Sequence, residues 1–204
     1  MDDQEFARVT SGWQFQRYKD SCWPTCVKNI LDDMSRRLND PTLRFSMSDV
    51  NSICGFKEEL GCQPGNVTPM LNKTFRDRNM IYEAREVTRR SNDIEMLKRI
   101  LSNQNCSYPL INVHSDYHIE QAIAIDGRLY DHTLVVVAVD DQNTWFHDPY
   151  KPFAERTGRI AKFNNNIPNV RMLDYWDRAW ETRWAMWVEK KIGTLESYGV
   201  VSHA

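Results

Sequence analysis

The sequence contains a cysteine where a nucleophile could stand. Cys22 comes just before Pro24, and proline is common in the first turn of a helix, so we expect the thiol at a helix N-terminus. Backbone N–H groups and the helix dipole at that position favour the thiolate, which is the nucleophilic form. A thiolate also needs a base with which to form an ion pair, usually an imidazole. Cys22 is therefore the first residue for which the sequence predicts a chemical role.

His132 and Asp148 are spaced so that a β-hairpin would bring them together. His132 precedes the apolar stretch 133–139, which predicts a strand, and residues 140–143 predict a turn. A second strand, 144–148, then returns the chain to the end of the hairpin where it started. The hairpin places Asp148 beside His132, where a carboxylate can orient the imidazole and fix its tautomer. Cys22, His132 and Asp148 together predict a catalytic triad.

The elements that must position these residues begin with a helical first half. Apolar residues recur at helical spacing over 24–38, and shorter helices are predicted at 46–55, 68–79 and 93–103. Two of these helices begin at pairs with the spacing of a capping box, Ser46 with Asp49 and Asn92 with Glu95.

The second half of the chain has the pattern of strands. They are predicted at 110–113, 120–125, 130–139 and 144–148, with Asp126-Gly127 as a hairpin turn, before a helix at 173–182 and a last strand at 184–190. Consecutive hairpins imply an antiparallel sheet, so the predicted fold class is α+β.

The 204 residues fit a single domain, 1–204. We expect residues 1–107 to form a helical part that carries the nucleophile, and residues 108–192 to form an antiparallel sheet that carries the histidine and the aspartate. Residues 193–204 are expected to be a loosely ordered tail.

Composition argues against several classes of protein. Lysine and arginine number 26 and aspartate and glutamate 28, so the net charge of −2 lacks the basic excess of a nucleic-acid or anionic-membrane binder. The longest apolar run, 134–139, is far too short for a membrane span. The N-terminus is acidic, unlike a secretory signal, and the five cysteines lack the spacing of a disulfide-stapled domain. We therefore expect a cytoplasmic protein in a reducing compartment.

The stretch QRYKDSCWPTC at 16–26, followed by a helix, resembles the nucleophile motif of papain-like cysteine peptidases. Within that clan it is most similar to the C39-like, bacteriocin-processing branch. That branch has a glutamine six residues before the catalytic cysteine, a second cysteine four residues after it, a strand of the His-x-Val-Val-Val type and a later Asp-Pro. Here these are Gln16, Cys22, Cys26, the strand beginning at His132, and Asp148-Pro149.

The resemblance implies a papain-like fold, with an N-terminal helical lobe packed on a C-terminal antiparallel sheet. It implies that Cys22 is the nucleophile, His132 the general base and acid, and Asp148 the residue that orients His132. Gln16 would donate its side-chain amide to the oxyanion, together with the backbone N–H of Cys22. The implied activity is hydrolysis of a peptide or isopeptide bond in a polypeptide substrate through a thioacyl-enzyme, without cofactor, metal, nucleic acid or membrane.

Two other functions remain open on the same residues. One is an acyltransferase or amidase, in which an amine or thiol intercepts the thioacyl intermediate. The other is a non-catalytic peptide-binding module that keeps the fold. The sequence also leaves open whether a regulatory protein or a propeptide gates the cleft.

Several neighbouring residues have competing interpretations. Cys26 is expected to pack inward, Gln14 could take the place of Gln16, and His147 is expected on the solvent side of its strand. Trp23, where many C39-like sequences have glycine, is expected to crowd the mouth of the cleft. His114 and His118 have the spacing H-x3-H, but they fall around a predicted strand end and turn, so metal ligation is not expected.

Overall fold

The fold is seen in a computed structural model. The residues that it describes are 1–18, 21–58, 60–62, 64–89, 93–114, 116, 131–150, 165–180 and 182–191. The predicted strand at 120–125, the Asp126-Gly127 turn and the tail at 193–204 lie outside the described residues.

A six-stranded antiparallel sheet runs through the described part of the chain. Its strands are β1 (Tyr82–Thr88), β2 (Leu110–Val113), β3 (His132–Val139), β4 (Asn143–His147), β5 (Asn166–Pro168) and β6 (Trp184–Lys190). Their order across the sheet is β1-β6-β2-β3-β4-β5, and every neighbouring pair is antiparallel. The antiparallel sheet and the α+β class are thus confirmed.

The described residues also form six α-helices. These are α1 (Asp3–Val9), α2 (Cys22–Arg37), α3 (Met47–Ile53), α4 (Val67–Asp77), α5 (Ile94–Ser102) and α6 (Asn169–Arg178). The capping box at the start of α3 is confirmed, because Ser46 and Asp49 each accept a hydrogen bond from the other's backbone N–H. The one predicted for α5 is wrong: Asp93 is the N-cap residue, and its carboxylate accepts from the N–H of Met96 at 2.9 Å.

β1 was not predicted, because its sequence, YEAREVT, alternates charged and apolar residues over only a few positions. It lies at the edge of the sheet, where Tyr82 and Ala84 are buried and the charged residues between and after them reach solvent. Its partner is β6, about a hundred residues further along the chain, from Tyr82 opposite Lys190 to Thr88 opposite Trp184. One strand of the sheet therefore comes from the otherwise helical first half.

Apolar cores lie on both faces of the sheet. The α2 core joins that helix to one face and includes Val27, Ile30, Leu110, Val135 and Trp184. The α6 core joins α5 and α6 to the other face and includes Leu97, Ile111, Leu134, Val136 and Trp176. Because successive strand residues point to opposite faces, the run 134–137 supplies both cores alternately. Among the described helices, none is long and apolar enough to cross a membrane.

Packing of α2 on the sheet can be tested with a matched pair of isoleucines. Ile30 is fully buried in the α2 core, whereas Ile81 is 43% exposed. We expect Ile30→Ala to lower the free energy of unfolding by about 2–5 kcal/mol, because it removes buried methylene groups and leaves a cavity. Ile81→Ala should cost less than about 1 kcal/mol. Urea unfolding measures both values, and equal losses would contradict the packing described.

Candidate active site

Cys22 is the first residue of α2, and hydrogen bonds hold the loop before it. As a whole residue it is half-buried. The preceding residue, Ser21, is buried, and its hydroxyl donates to the carbonyl of Tyr18 at 2.9 Å. The N–H of Tyr18 in turn lies 3.1 Å from the Ser21 hydroxyl oxygen, and the N–H of Ser21 donates to the Tyr18 carbonyl at 3.2 Å. These bonds fix the backbone as it enters the helix N-terminus that carries the thiol.

Gln16 is buried beside the segment that follows β4. Its backbone N–H donates to the carbonyl of Pro149 at 2.9 Å, and its side-chain amide donates to the carbonyl of Tyr18 at 3.0 Å. Gln14, the competing candidate, is an exposed residue. Gln16 is therefore the glutamine that the fold holds between the Cys22 loop and the Asp148 segment.

His132 and Asp148 meet across the β3–β4 hairpin. His132 is the first residue of β3 and Asp148 directly follows β4, and both are buried. His132 Nε2 lies 2.7 Å from Asp148 Oδ1, which also accepts from the N–H of Tyr150 at 2.8 Å. The Tyr150 ring stands edge-on to the imidazole, with ring centroids 6.1 Å apart. The carboxylate thus binds the imidazole and one further donor, the backbone N–H of Tyr150.

A β-bulge in the hairpin sets the face on which Asp148 lies. Val139 pairs with Thr144 and Ala138 with Trp145, but beyond Val137 the register shifts by one residue, so that Val135 pairs with His147. Continued by one residue, this register sets Asp148 opposite Leu134, on the same sheet face as His132.

Burial and hydrogen bonding act in opposite directions on the Cys22 thiol. Burial would raise its pKa, but the hydrogen bond and charge of His132, with hydrogen bonds from the backbone N–H and the hydroxyl of Thr133, bring the pKa below its ordinary value. Burial would likewise lower the pKa of His132, but the charge and hydrogen bond of Asp148, with those of Cys22, raise it to about 10. Between these two pKa values, thiolate and imidazolium coexist as an ion pair.

Cys26 lies one helical turn after Cys22 and is fully buried. Its Sγ donates to the carbonyl of Thr133 at 3.4 Å. Burial and the negative charges of Cys22 and Asp148 raise the pKa of Cys26 well above its ordinary value. Cys26 packs inward, as predicted, and remains a protonated thiol.

Two expectations about residues beside the site are wrong. His147 is buried rather than solvent-facing, because the segment 13–15 covers it: its ring lies 5.1 Å from those of both Trp13 and Phe15, and its Nε2 lies 3.2 Å from the Gln14 carbonyl oxygen. Trp23 does not crowd the cleft mouth, because its ring is buried in the α2 core and packs edge-on against Trp184 at 4.6 Å.

Of the two histidines with H-x3-H spacing, only His114 lies among the described residues. His114 Nδ1 accepts a hydrogen bond from the N–H of Asp116 at 3.2 Å, and His118 lies outside the described residues. In the part of the chain that the structure describes, no group of three or more His, Cys, Asp or Glu side chains could hold a metal ion.

Sequence reasoning missed three residues that contact the site. Tyr150 binds the Asp148 carboxylate, Ser21 binds the backbone of Tyr18 before Cys22, and hydrogen bonding by Thr133 lowers the pKa of Cys22. A signal was present only for Thr133, which is the polar residue between His132 and an otherwise apolar strand. The role of Tyr150 depends on its backbone N–H, which every residue but proline carries, and that of Ser21 on a hydroxyl that binds the backbone of Tyr18.

Comparison with known proteins supports the fold alone. No protein-family model matches the chain, and no curated protein matches its sequence. Among solved structures, the chain is similar to a Bacillus anthracis protein that is provisionally described as a C39-like peptidase, with a TM-score of 0.57. The sequences are 11% identical, and the match covers 91% of this chain and 97% of that one. The α+β fold is thus similar to that of this provisionally described C39-like peptidase.

The thiol pKa values predict the order in which the cysteines react with iodoacetamide. Because the pKa of Cys22 is lowered, its thiolate forms first as the pH rises, and it should label well below the ordinary thiol pKa of about 8.5. Burial raises the pKa of Cys106 to about 11, so this residue should label only in strongly alkaline solution. Peptide mass spectrometry after labelling at a series of pH values measures each rate.

The same measurement on His132→Ala tests the imidazole. Loss of its hydrogen bond and charge leaves burial as the largest influence, so the pKa of Cys22 should rise and its labelling near neutral pH should slow by about tenfold or more. His114→Ala removes a histidine outside the site and serves as the matched control. The ion pair would be refuted if Cys22 and Cys106 labelled alike in the wild type, or if both variants behaved in the same way.

Proposed function

We propose that this protein is a papain-like cysteine peptidase of the C39-like type, which hydrolyses a peptide or isopeptide bond in a polypeptide substrate. The observation that carries the proposal is the hydrogen-bonded series from the Cys22 thiol through His132 to Asp148, at the N-terminus of a helix. The structural similarity to a protein provisionally described as a C39-like peptidase supports the same class.

In the first half of the proposed reaction, the Cys22 thiolate attacks the carbonyl carbon of the scissile bond. A C–S bond forms and the carbonyl oxygen becomes an oxyanion, which accepts hydrogen bonds from the Cys22 backbone N–H and from the side-chain amide of Gln16. The His132 imidazolium then gives its proton to the leaving amine, and the C–N bond breaks. The products of this half are a free amine and a thioester on Cys22.

In the second half, water hydrolyses the thioester. Neutral His132 takes a proton from the water as it attacks the carbonyl carbon, and the C–S bond breaks to release a carboxylic acid and the Cys22 thiolate. Asp148 stabilises the imidazolium each time it forms, because its carboxylate lies 2.7 Å from Nε2. With Nε2 on the carboxylate, Nδ1 is the ring nitrogen that exchanges the proton.

We include a reducing, cytoplasmic location in the proposal, since the reaction needs Cys22 as a free thiolate and an oxidising compartment would favour its loss to a disulfide. An acyltransferase would use the same first half and differ only in the nucleophile that attacks the thioester. Adding dilute amine and thiol acceptors distinguishes the two activities, because a transferase forms the amide or thioester of the acceptor while a peptidase forms mainly the free acid.

A peptide library analysed by mass spectrometry tests the activity. We expect the wild type to cleave a subset of peptides, and Cys22→Ala, His132→Ala and Asp148→Asn each to lower kcat/KM by at least about 10³. Cys106→Ser, a change at a buried thiol away from the triad, should keep activity within about twofold. Peptide binding without any cleavage or acylation of Cys22 would favour the non-catalytic module instead.

The two glutamines provide a test of the oxyanion site. Gln16→Ala should lower kcat by about 10²–10³ with a smaller change in KM, because a donor that acts on the developing oxyanion contributes mainly in the transition state. Gln14→Ala is the matched control and should keep kcat, since Gln14 binds Asn29 and His147 through its backbone N–H and carbonyl, which alanine keeps. Equal effects of the two substitutions would contradict the role assigned to Gln16.

A further inference from the structure

Side chains from two different elements bind the backbone of Gln14. The N–H of Gln14 donates to Oδ1 of Asn29, in the middle of α2, at 2.7 Å, and Nδ2 of Asn29 donates to the Gln14 carbonyl at 2.9 Å. At the end of β4, His147 Nε2 lies 3.2 Å from the same carbonyl oxygen. A carbonyl oxygen only accepts, so Nε2 carries a proton and donates to it. The backbone of this one residue is thus held by both the helix and the sheet.

The same segment of chain is bound again two residues further on. There the N–H of Gln16 donates to the carbonyl of Pro149 at 2.9 Å, and Pro149 likewise lies two residues beyond His147. The N-terminal segment therefore runs beside the end of β4 in the same direction, and Asp148 of the proposed triad lies between the two points of contact. Two attachments so close together fix the backbone that carries the Gln16 side chain.

Asn29 also connects this segment to the nucleophile, because both residues belong to α2. Cys22, Cys26 and Asn29 follow one another at intervals of four and three residues, which places them on one face of the helix. The separation of Cys22 and Asn29 spans about 10 Å along the helix axis. A helix is a rigid element, so Asn29 holds the N-terminal segment at a fixed position relative to the backbone N–H of Cys22.

The burial of Asn29 is consistent with this role. The residue is only 1% exposed, so its amide needs partners within the protein. Its neighbours Val27 and Ile30 are fully buried apolar residues, and asparagine favours a helix less than alanine or leucine does. The backbone of Gln14 supplies a partner for the amide oxygen and another for the amide nitrogen. The contact with Gln14 therefore accounts for a polar side chain inside an apolar core.

We propose that Asn29 is a positioning residue of this site, which holds the backbone of Gln14 so that the side-chain amide of Gln16 stays in place for the oxyanion. His147 assists from the sheet through the same carbonyl. A displacement of about 1 Å weakens a donor that acts on the transition state, and it can cost about 10²-fold in rate. This inference rests on the proposed function, because the oxyanion forms only in that reaction.

Steady-state kinetics of Asn29→Ala in the full chain, with a peptide that the wild type cleaves, tests this role. We expect kcat to fall by about tenfold to 10²-fold and KM to stay within about threefold, because the loss affects mainly the transition state. The fall should not exceed that of Gln16→Ala, the residue through which Asn29 acts. Cys22 should label with iodoacetamide within about twofold of the wild-type rate, since its lowered pKa depends on His132.

A double-mutant cycle distinguishes positioning from general structural damage. If Asn29 acts through Gln16, adding Asn29→Ala to Gln16→Ala should change kcat by less than about twofold, because the donor that Asn29 positions is already absent. A structural defect would act independently of Gln16, so the losses of the two single variants would multiply. Losses that multiply in the double variant would therefore overturn the positioning role.

Asn72→Ala is the matched control, because Asn72 of α4 binds a backbone residue in the same way. The N–H of Ala84 donates to Asn72 Oδ1 at 2.7 Å, and Asn72 Nδ2 donates to the Ala84 carbonyl at 2.9 Å. Both substitutions should lower the melting temperature, but only Asn29→Ala should lower kcat. If Asn29→Ala does not fold, Asn29→Leu replaces it, since leucine has a similar branched shape, favours the helix and lacks the polar atoms. The same fall in kcat is expected.

The outcomes separate this inference from the proposed function. An unchanged kcat in the folded Asn29 variant, an equal fall in Asn72→Ala, or a loss of Cys22 labelling together with kcat overturns the positioning role. Cleavage by the wild type that requires Cys22 would still leave the peptidase proposal standing. Absence of such cleavage overturns both. A fall in kcat at nearly constant KM that disappears in the Gln16→Ala background supports the role assigned to Asn29.

Discussion

The burial of His132 next to Asp148 is the constraint on which the rest of the site depends. Both side chains are at most 5% exposed, so neither charge has water to stabilise it. Transferring a single carboxylate or imidazolium into such surroundings is costly, and the pair is tolerated only when the two groups meet with good geometry and the remaining lone pairs are bound. The Nε2–Oδ1 contact of 2.7 Å and the Tyr150 N–H meet these conditions. Because the carboxylate keeps the imidazole protonated, the imidazole can in turn keep Cys22 ionised.

Geometry of this quality requires a hairpin with the right register, and only part of that register could be predicted. The turn at Asp140–Asn143 was recognisable from its residue types. The Asp140 carboxylate accepts from the backbone N–H groups of Gln142 and Asn143, as aspartate commonly does in turns. Counting back from this turn alone would set Asp148 opposite Val135, on the sheet face away from His132. The extra residue at Val137 corrects the register. Because apolar residues lie on both faces of this strand, the sequence pattern gives no sign of such a bulge. The sequence therefore predicted that His132 and Asp148 meet, but not the register that brings them together.

The features that could be predicted are those whose cause lies within a few residues. The Ser46 capping box depends on one turn of helix, and the strand 184–190 on its own apolar pattern. The features that were missed depend on distant partners. β1 is a strand because β6 pairs with it, and His147 is buried because the segment 13–15 crosses it. Trp23 lies in the α2 core rather than at the mouth of the cleft, because Trp184 provides an apolar surface on which it can pack. No local pattern encodes any of these three contacts.

Pro149 shows how one backbone property can connect the elements of the site. Asp-Pro could be interpreted as a simple turn signal, and the missing N–H does end the β3–β4 ladder. The last pair of the ladder, Val135 with His147, lies two residues from Thr133, and the Thr133 carbonyl accepts from the Cys26 thiol on α2 instead. The Pro149 carbonyl, which the ladder no longer needs, binds the backbone of Gln16. A residue with an N–H at position 149 could donate to the Thr133 carbonyl and compete with the Cys26 thiol for it. Proline at this position leaves that carbonyl to Cys26.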